Sequence, residues 1–333
     1  MSDAVVPASD AKAVPLRLLA AADAEAAVAA MPAPLRAQAE LAKFKGKAGE
    51  VCALAGDDGL ALALAGLGDA ARPSPLRALP ARLPDGLYAF EPTPTGIEAG
   101  EAALAFALGA YRFDRYRKTH GEPHARLVAP AGVDLDELRT LAHACALARD
   151  MINTPAADMG ARQIETIARE VAEGFGADIS VAAGEDLIAG YPAVHAVGRA
   201  ATPERAPRMI ELRWGEAGRP LVALVGKGVV FDTGGLDIKT AAGMRTMKKD
   251  MGGAAHALAL GRMLMAAGLP IRVAVLLPVA ENAIAGDAMR PGDVLNSRKG
   301  LTIEVGNTDA EGRLILADAL ARASELAPDL TID

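Results

Sequence analysis

Cysteine and histidine are both scarce in this sequence. Its 333 residues include two cysteines, Cys52 and Cys145, each in an alanine- and leucine-rich stretch. Two such thiols are typical of buried structural residues rather than of a disulfide or a nucleophile, so we expect a reducing compartment. Among the five histidines, His120 and His124 have the i, i+4 spacing of H-E-x-x-H, but they lack the glutamate and straddle Pro123. A zinc centre built on histidine is therefore not expected.

Long apolar runs and basic blocks are also absent from the sequence. No uninterrupted apolar stretch reaches the ~18 residues that a membrane-spanning helix needs. The start, Met1-Ser2-Asp3, has no basic segment before an apolar core. The formal net charge is −7, and no lysine- or arginine-rich block with interleaved aromatics occurs, so nucleic-acid binding is not expected. We expect a soluble cytoplasmic protein, without membrane contact, that acts on small or peptide-like partners.

The chain has instead a high apolar content, 51% of its residues, and at this length it has room for two domains. In the first part, short apolar runs such as "EVCALAG" and "GLYAF" alternate with proline and glycine breaks, around one helical pattern over 97–117. A break at "VAPAGVD" precedes the helical pattern "LDELRTLAHACALARDMI". We place the domain boundary there, with a small α/β domain of unknown role at 1–130 and a larger domain at 131–333.

The larger domain alternates between strand-like and helix-like segments. Apolar runs ("DISVAA", "RMIELRW", "PLVALVG", "IRVAVLLPV", "LTIEV" and "DLTID") alternate with helical patterns over 162–174, 252–267 and 312–327. This order predicts an α/β fold with a mostly parallel central sheet covered by helices. Functional residues of such sheets lie at the carboxyl ends of the strands. Two charged segments, "GKGVVFDTGG" and "NTDAEGR", fall at such ends.

The first charged segment, residues 225–255, places carboxylates and lysines among seven glycines. A phosphate loop is disfavoured, because neither GxxxxGK[ST] nor GxGxxG occurs and Asp232 and Asp250 would repel phosphate. Asp232-Thr233-Gly234 reads as the D-T-G of aspartic proteases, but their shared-proton dyad needs a pair of aspartates and this chain has one D-T-G. The third interpretation is a metal site, since carboxylates bind Zn²⁺, Mn²⁺ or Mg²⁺ unaided and can bridge close metals.

Most charged loop residues are simply hydrated, and we assign this role to Asp237, Lys248 and Lys249. Other acidic residues stand at strand ends beside glycine or small residues, which favours a functional site for Asp232, Asp309 and Glu311. Asp250 could supply a further ligand.

The second segment, "GNTDAEGRL", places Asp309, Glu311 and Arg313 at alternate positions. In an extended loop these side chains would project into one cleft, with the anions on a metal and the cation on an anionic group. Gly306 and Gly312 would let the backbone approach ions and would start the next helix at Gly312. An acidic helix N-terminus is the alternative, and it explains Glu311 but not Arg313.

These segments resemble a known family. "VGKGVVFDTGGLDIK", "MKKDMGGAA" and "NTDAEGRL", together with "RDMINTPAADMG", are similar to segments of the leucyl aminopeptidase (cytosol aminopeptidase) family of dinuclear metallopeptidases. The likeness covers roughly residues 135–333 and is specific in combination. It implies a metal-dependent aminopeptidase that removes the N-terminal residue, with a leucine-like preference, from peptides with a free N-terminus. The family's cofactors are two divalent metal ions, Zn²⁺, Mn²⁺ or Mg²⁺, and bicarbonate as a general base.

Carried over by position, the resemblance implies that Lys227, Asp232, Asp250 and Glu311 bind one metal ion, and that Asp232, Asp309 and Glu311 bind the other. Asp232 and Glu311 would then bridge the pair. Lys227 is unusual, because an ammonium group cannot be a ligand. The charge of the metal, together with burial, must hold this amine deprotonated.

The resemblance also assigns roles around the metals. Lys239 matches the family's catalytic lysine, which contacts substrate and adds positive charge to the oxyanion formed when an activated water attacks the scissile carbonyl. Arg313 matches the arginine that holds bicarbonate, a planar anion suited to the guanidinium fork. Met244, Met247 and Met251 recur at helix-like spacing, which is typical of a core stripe, but Met247 matches a position that lines the pocket for the first side chain. A homohexamer is implied as well.

Two alternatives stay open at this stage. The chain could be another dinuclear metallohydrolase, such as an amidase or a phosphatase. It could also be a non-catalytic relative of the same fold that binds DNA, although its net negative charge does not favour DNA binding. Family members continue well beyond the position matching Asp333, and this chain stops inside the strand-like "DLTID". We therefore expect a catalytic domain that lacks its C-terminal part.

Overall fold

The structure is a computed structural model that describes residues 4–8, 11–69, 72–91, 96–118 and 125–333. His120 and His124 lie outside the described residues. The chain divides into two compact units, Met1–Ala146 and Leu147–Asp333, and helix Leu135–Asn153 carries residues of both. The domain boundary near residue 130 stays a prediction.

The first unit is a small α/β domain, as the sequence predicts. Its strands are β1 (Val5–Val6), β2 (Val14–Ala20), β3 (Val51–Gly56), β4 (Gly59–Gly68), β5 (Gly86–Phe90) and β6 (Ala125–Val128). They form a sheet in the order β1-β6-β5-β2-β4-β3, parallel except for the antiparallel pair β3–β4. Its helices are α1 (Ala21–Ala29), α2 (Ala33–Leu41), α3 (Leu79–Arg82) and α4 (Ala99–Gly109). Leu16, Tyr88 and Phe106 are fully buried in its core.

The second unit is built on a mixed sheet. Its strands are β7 (Asp178–Ala183), β8 (Arg208–Trp214), β9 (Leu221–Val225), β10 (Gly228–Asp232), β11 (Arg272–Asn282), β12 (Val294–Asn296), β13 (Thr302–Glu304) and β14 (Leu330–Ile332). The central order is β14-β9-β11-β8-β7, with β10 also paired to β11. β14, β9, β11 and β10 pair in parallel, whereas β8 is antiparallel to β11 and β7. The predicted strand "LTIEV" corresponds to β13, which does not join this sheet. Instead, β13 pairs with β12 in a separate antiparallel hairpin. Both strands of the hairpin are short and partly exposed.

The helices of this unit follow the periodic segments of the sequence. They are α5 (Leu135–Asn153), shared with the first unit, α6 (Ala161–Phe175), α7 (Glu185–Gly190), α8 (Pro192–Gly198), α9 (Ala241–Met244), α10 (Gly252–Ala266) and α11 (Glu311–Glu325). The predicted helices over 162–174, 252–267 and 312–327 correspond to α6, α10 and α11 and differ by one or two residues at their ends. Among the helices that the structure describes, none is both long and apolar enough to span a bilayer.

β11 lies at the centre of the core of the second unit. Because side chains alternate along a strand, Ala274 and Leu276 point to one face, where they pack with residues of α8 and α11. Val275 points to the other face, which α10 crosses so closely that a methyl group added at Gly261 would lie 2.6 Å from Val275 Cγ2. The sheet is therefore covered on both faces, as the sequence predicts.

The carboxyl ends of β9, β10 and β11 lie at the same edge of the sheet because these strands are parallel. β9 ends at Val225, β10 ends at Asp232, and Asp232 pairs with Asn282 at the end of β11. The charged segment that follows β9 therefore begins at the edge where α/β sheets carry functional residues.

Removing a core side chain from β11 should destabilise the protein markedly. Leu276 is fully buried, so Leu276→Ala leaves a cavity and should lower the free energy of unfolding by about 2–5 kcal/mol. Leu269→Ala is the matched control, because Leu269 is 41% exposed and its truncation should cost less than ~1 kcal/mol. Urea unfolding followed by circular dichroism measures both, and equal losses would contradict this placement of the core.

Candidate metal centre

Three carboxylates converge beyond the ends of the strands. Asp232 is the last residue of β10, Asp309 lies in a 3₁₀ turn, Thr308–Ala310, and Glu311 is the first residue of α11. Asp232 and Glu311 are almost completely buried, and Asp309 is half-buried. One oxygen atom from each lies within 4.8 Å of the others, which is close enough for a single cation to contact all three.

The remaining predicted ligands, Lys227 and Asp250, adjoin this group. Lys227 lies in the short link between β9 and β10, and its Nζ is 2.8 Å from both Asp250 Oδ2 and Glu311 Oε1. Asp250 follows the 3₁₀ turn Met247–Lys249, just before α10. The structure therefore brings all five predicted metal ligands into one cluster, although their roles as ligands stay predictions.

Lys239 occupies the other side of the cluster. Its Nζ is 2.9 Å from Asp232 Oδ2 and forms a short ion pair with Asp309 Oδ1. Burial acts to lower the pKa of Lys239, but Asp309 and Asp232 outweigh it and raise the pKa. The four carboxylates are thus linked in pairs by two lysine side chains.

Lys227 reaches Glu311 only because residue 312 has no side chain. A Cβ atom at Gly312 would lie 2.6 Å from Lys227 Cε and 2.9 Å from its Nζ. Real Cβ atoms essentially never come so close, so any larger residue at this position must displace the lysine. The sequence interpretation that Gly312 clears space near the ions is consistent with this contact, but α11 begins one residue earlier, at Glu311.

The electrostatics of the cluster favour a bound cation. Glu311 Oε2 is buried and has no hydrogen-bond partner among the described residues. Glu311 Oε1 and Asp250 Oδ2 are also buried and are each 2.8 Å from Lys227 Nζ, and Asp309 Oδ1 is buried against Lys239 Nζ. Burial raises the pKa of Asp250 and of Glu311 despite the nearby Lys227. A buried anionic oxygen without a partner is costly, and a metal ion would satisfy it together with the oxygens that face the lysines. The residues therefore fit divalent metal ions, and carboxylate oxygens with one amine nitrogen suit Zn²⁺, Mn²⁺ or Mg²⁺.

The predicted extended loop at 309–313 is wrong. Thr308–Ala310 forms a 3₁₀ turn and the chain is helical from Glu311 onward, so positions i and i+2 do not face the same side. Arg313 lies in the first turn of α11 and is exposed. Asp309 and Glu311 still converge, because the turn changes the chain direction between them. The role of Arg313 stays a prediction.

The three methionines do not form one helical stripe. Met244 ends the short α9, Met247 begins a 3₁₀ turn, and Met251 stands just before α10. Met251 is fully buried, whereas Met247 is half-buried. Met251 is therefore a core residue, and the role of Met247 in a substrate pocket stays a prediction.

Sequence reasoning assigned Asp237 and Lys248 to hydrated surface, and the structure shows both in structural hydrogen bonds. Lys248 Nζ donates to the backbone oxygen of Asn153 at 2.5 Å, at the end of α5. Asp237 Oδ2 accepts a hydrogen bond from the backbone N–H of Thr308 at 2.8 Å. Asn282, which sequence reasoning missed, donates to Asp232 Oδ1 at 2.8 Å. No local pattern marks these residues, because their partners lie far away in the chain.

Sequence comparison agrees with this geometry. Residues 146–333 match the catalytic domain of the cytosol aminopeptidase family, and residues 14–130 match the N-terminal domain of M17 aminopeptidases. The chain belongs to the cytosol aminopeptidase family. The resemblance noted in the sequence is thereby confirmed.

Over the aligned residues, curated members of the cytosol aminopeptidase family are about two fifths identical to this chain. A probable cytosol aminopeptidase of Rhodococcus opacus is 40% identical over 270 residues, which are 76% of this chain and 53% of that protein. One from Nocardia farcinica is 42% identical over 252 residues, 72% of this chain and 49% of that protein. The chain thus spans about half the length of the curated relatives it matches.

Solved structures of cytosol aminopeptidases and their relatives have the same fold. The cytosol aminopeptidase of Coxiella burnetii superposes with a TM-score of 0.92 at 39% identity, over 100% of this chain and 72% of that one. The bottromycin maturation enzyme BotP in complex with Mn superposes with a TM-score of 0.82 at 33% identity, over 96% of this chain and 70% of that one. These matches confirm the predicted α/β fold class.

Filling the space at residue 312 should damage the cluster. Gly312→Ala forces Lys227 away from Glu311, so the affinity for Mn²⁺, measured by calorimetric titration, should fall by roughly tenfold or more. Gly306→Ala is the matched control in the same segment, because an added Cβ there has no atom within 4 Å and affinity should stay near that of the unmodified protein. Equal affinities in both variants would argue against a Lys227–metal interaction.

Proposed function

We propose that this protein is a metal-dependent aminopeptidase that removes the N-terminal residue from peptides. The observation that carries the proposal is the convergence of Asp232, Asp309 and Glu311 on one point, with Lys227 against Glu311 Oε1 and no hydrogen-bond partner among the described residues for the buried Glu311 Oε2. A leucine-like preference at the first residue is the expectation from the family. Cytoplasmic localisation and a homohexameric assembly are part of the same proposal.

Two divalent cations fit the donor set. Lys227, Asp232, Asp250 and Glu311 would hold one cation, and Asp232, Asp309 and Glu311 would hold the other, with Asp232 and Glu311 shared. When bound, the cations polarise the scissile carbonyl and lower the pKa of a water molecule so that it can attack. Zn²⁺ and Mn²⁺ are the candidates, with Mg²⁺ as a further one.

Lys227 must give up the proton on Nζ to act as a ligand. In the structure its ammonium group forms ion pairs with Asp250 and Glu311, so a cation that replaces the proton keeps the same partners. This arrangement accounts for a half-buried lysine whose neighbours are both candidate ligands. An arginine could not serve there, because its guanidinium does not deprotonate in proteins.

The other candidate residues would bind the substrate or interact with the charges that form during the reaction. Lys239 points at the same centre, and its ammonium group would donate a hydrogen bond to the carbonyl oxygen as negative charge develops there. Arg313, exposed at the first turn of α11, would hold bicarbonate through its planar guanidinium fork, and bicarbonate would supply a general base when bound. Met247, half-buried in the turn before Asp250, would contact the first side chain of the peptide.

Peptidase activity is tested against the rival metallohydrolase functions. We expect the purified protein with Mn²⁺ or Zn²⁺ to release p-nitroaniline from leucine p-nitroanilide, and a chelator to abolish this release because the proposed reaction needs the cations to activate the water. p-Nitrophenyl phosphate, assayed in parallel, should not be hydrolysed. Phosphate release without amide cleavage would support a phosphatase instead, and binding to DNA without either activity would support the non-catalytic alternative.

The Lys227→Arg variant tests the amine ligand directly. We expect metal content, measured by mass spectrometry on the dialysed protein, to fall from about two ions per chain to about one, because the arginine keeps its charge and repels the cation. Lys249→Arg is the control, since Lys249 is exposed beside the cluster and its replacement should leave the metal content unchanged. Full metal content in Lys227→Arg would exclude the amine as a ligand.

A further inference from the structure

Thr308 connects two segments of the candidate metal centre without being one of its proposed ligands. It is fully buried, next to Asp309 in the 3₁₀ turn. Its Oγ1 donates to the backbone oxygen of Gly234 at 2.6 Å and accepts from the backbone N–H of Asp237 at 2.9 Å. One hydroxyl therefore ties the turn that carries Asp309 to the loop between Asp232 and Lys239.

Asp237 completes this link from the other side. Its Oδ2 accepts from the backbone N–H of Thr308 at 2.8 Å, so the two residues exchange hydrogen bonds across 71 positions of sequence. The loop that presents Asp237 is tightly closed, because Gly234 has φ +87° and a Cβ there would lie 2.9 Å from Lys239 N. A paired link into a tight loop leaves little freedom for Lys239 and Asp309 to separate.

Asn282 supplies a third connection, from the end of β11. It is 2% exposed, and its Nδ2 donates to Asp232 Oδ1 at 2.8 Å and to the backbone oxygen of Thr308 at 3.0 Å. Both amide protons are thus used, one on a proposed metal ligand and one on the turn beside Asp309. The backbone N–H and the hydroxyl of Thr233 both donate to the backbone oxygen of Asn282, which fixes the position of the Asn282 backbone.

Such connections are needed because four carboxylates in one cluster repel each other in the metal-free protein. Flexible loops would relieve that repulsion by moving apart, and metal binding would then have to reassemble the site. We propose that Thr308, Asp237 and Asn282 are positioning residues that hold the three segments together and so preorganise the metal centre. This inference rests on the proposed function, since it presupposes that the cluster binds metal.

The test measures Mn²⁺ affinity by calorimetric titration of the purified protein. Thr308→Val keeps the shape but removes the hydroxyl, so the dissociation constant should rise by about 10–100-fold, whereas Thr308→Ser keeps the hydroxyl and should restore affinity to within about threefold. Asp237→Ala should weaken binding less, because Asp237 is exposed on its outer side, and Asp237→Asn should recover part of the loss since its amide oxygen can still accept from Thr308.

The double variant Thr308→Val/Asp237→Ala separates a shared link from two independent defects. The two changes remove different hydrogen bonds of one paired link, so its loss of affinity should differ clearly from the product of the two single losses, which is what independent defects would give. Ser297→Ala is the structural control, since Ser297 is also buried and its hydroxyl bonds the backbone oxygen of Leu301 at 2.7 Å near the β12–β13 hairpin. It should leave Mn²⁺ affinity unchanged even where urea unfolding shows a loss of stability.

Unchanged Mn²⁺ affinity in folded Thr308→Val and Asp237→Ala, or equal weakening in Ser297→Ala, would overturn the positioning role while leaving the metal centre intact. Failure of the serine and asparagine variants to recover affinity would also overturn it. A wild-type protein that binds no Mn²⁺ would instead overturn the proposed metal centre, and the positioning role with it. If Thr308→Val does not fold, the Asp237 variants still decide the test, because Asp237 is exposed and can be replaced without disturbing the core.

Discussion

Mutual repulsion among buried carboxylates is the constraint on which the rest of this structure depends. Asp232, Asp250, Asp309 and Glu311 are held close together in a partly dehydrated edge of the sheet, where like charges repel more strongly than in water. Lys227 and Lys239 offset part of that repulsion by bridging the carboxylates in pairs. The arrangement persists because rigid strand ends and buried hydrogen bonds hold the backbone in place.

Asp318, another buried acid of the second unit, is an example of a purely structural carboxylate. Asp318 is fully buried, and its oxygens accept hydrogen bonds from the backbone N–H groups of Ala193, Val194 and Arg298. Asp318 is thus satisfied by nearby donors of the fold itself. Glu311, equally buried, has the Lys227 ammonium group at Oε1 and no hydrogen-bond partner among the described residues at Oε2. The contrast distinguishes a carboxylate that the fold satisfies from one with an oxygen left over, which supports the proposed cation site.

The sequence was informative wherever the signal is local. Apolar periodicity located α6, α10 and α11 and most strands of the second sheet, because burial of one face imposes that pattern directly. It did not place β13 outside the sheet, since a short apolar run has the same appearance in a hairpin. The four candidate carboxylates followed from charge at strand ends, whereas Lys227 became a candidate ligand only through the family resemblance. The assumption of an extended loop at 309–313 gave Arg313 the wrong local geometry.

Residue types and spacing by themselves determined the family, the fold class and a set of metal-binding candidates. Both the chemistry of a ligand and its position at the end of a strand can be recognised within a few consecutive residues. Tertiary structure alone decided which of those charges meet. It brought Lys227 against Glu311 across the space left by Gly312, and it made the exposed Asp237 a hydrogen-bond partner of Thr308. These contacts join residues dozens of positions apart, and their geometry depends on how the sheet, the turn and α11 pack together rather than on any neighbour in the chain.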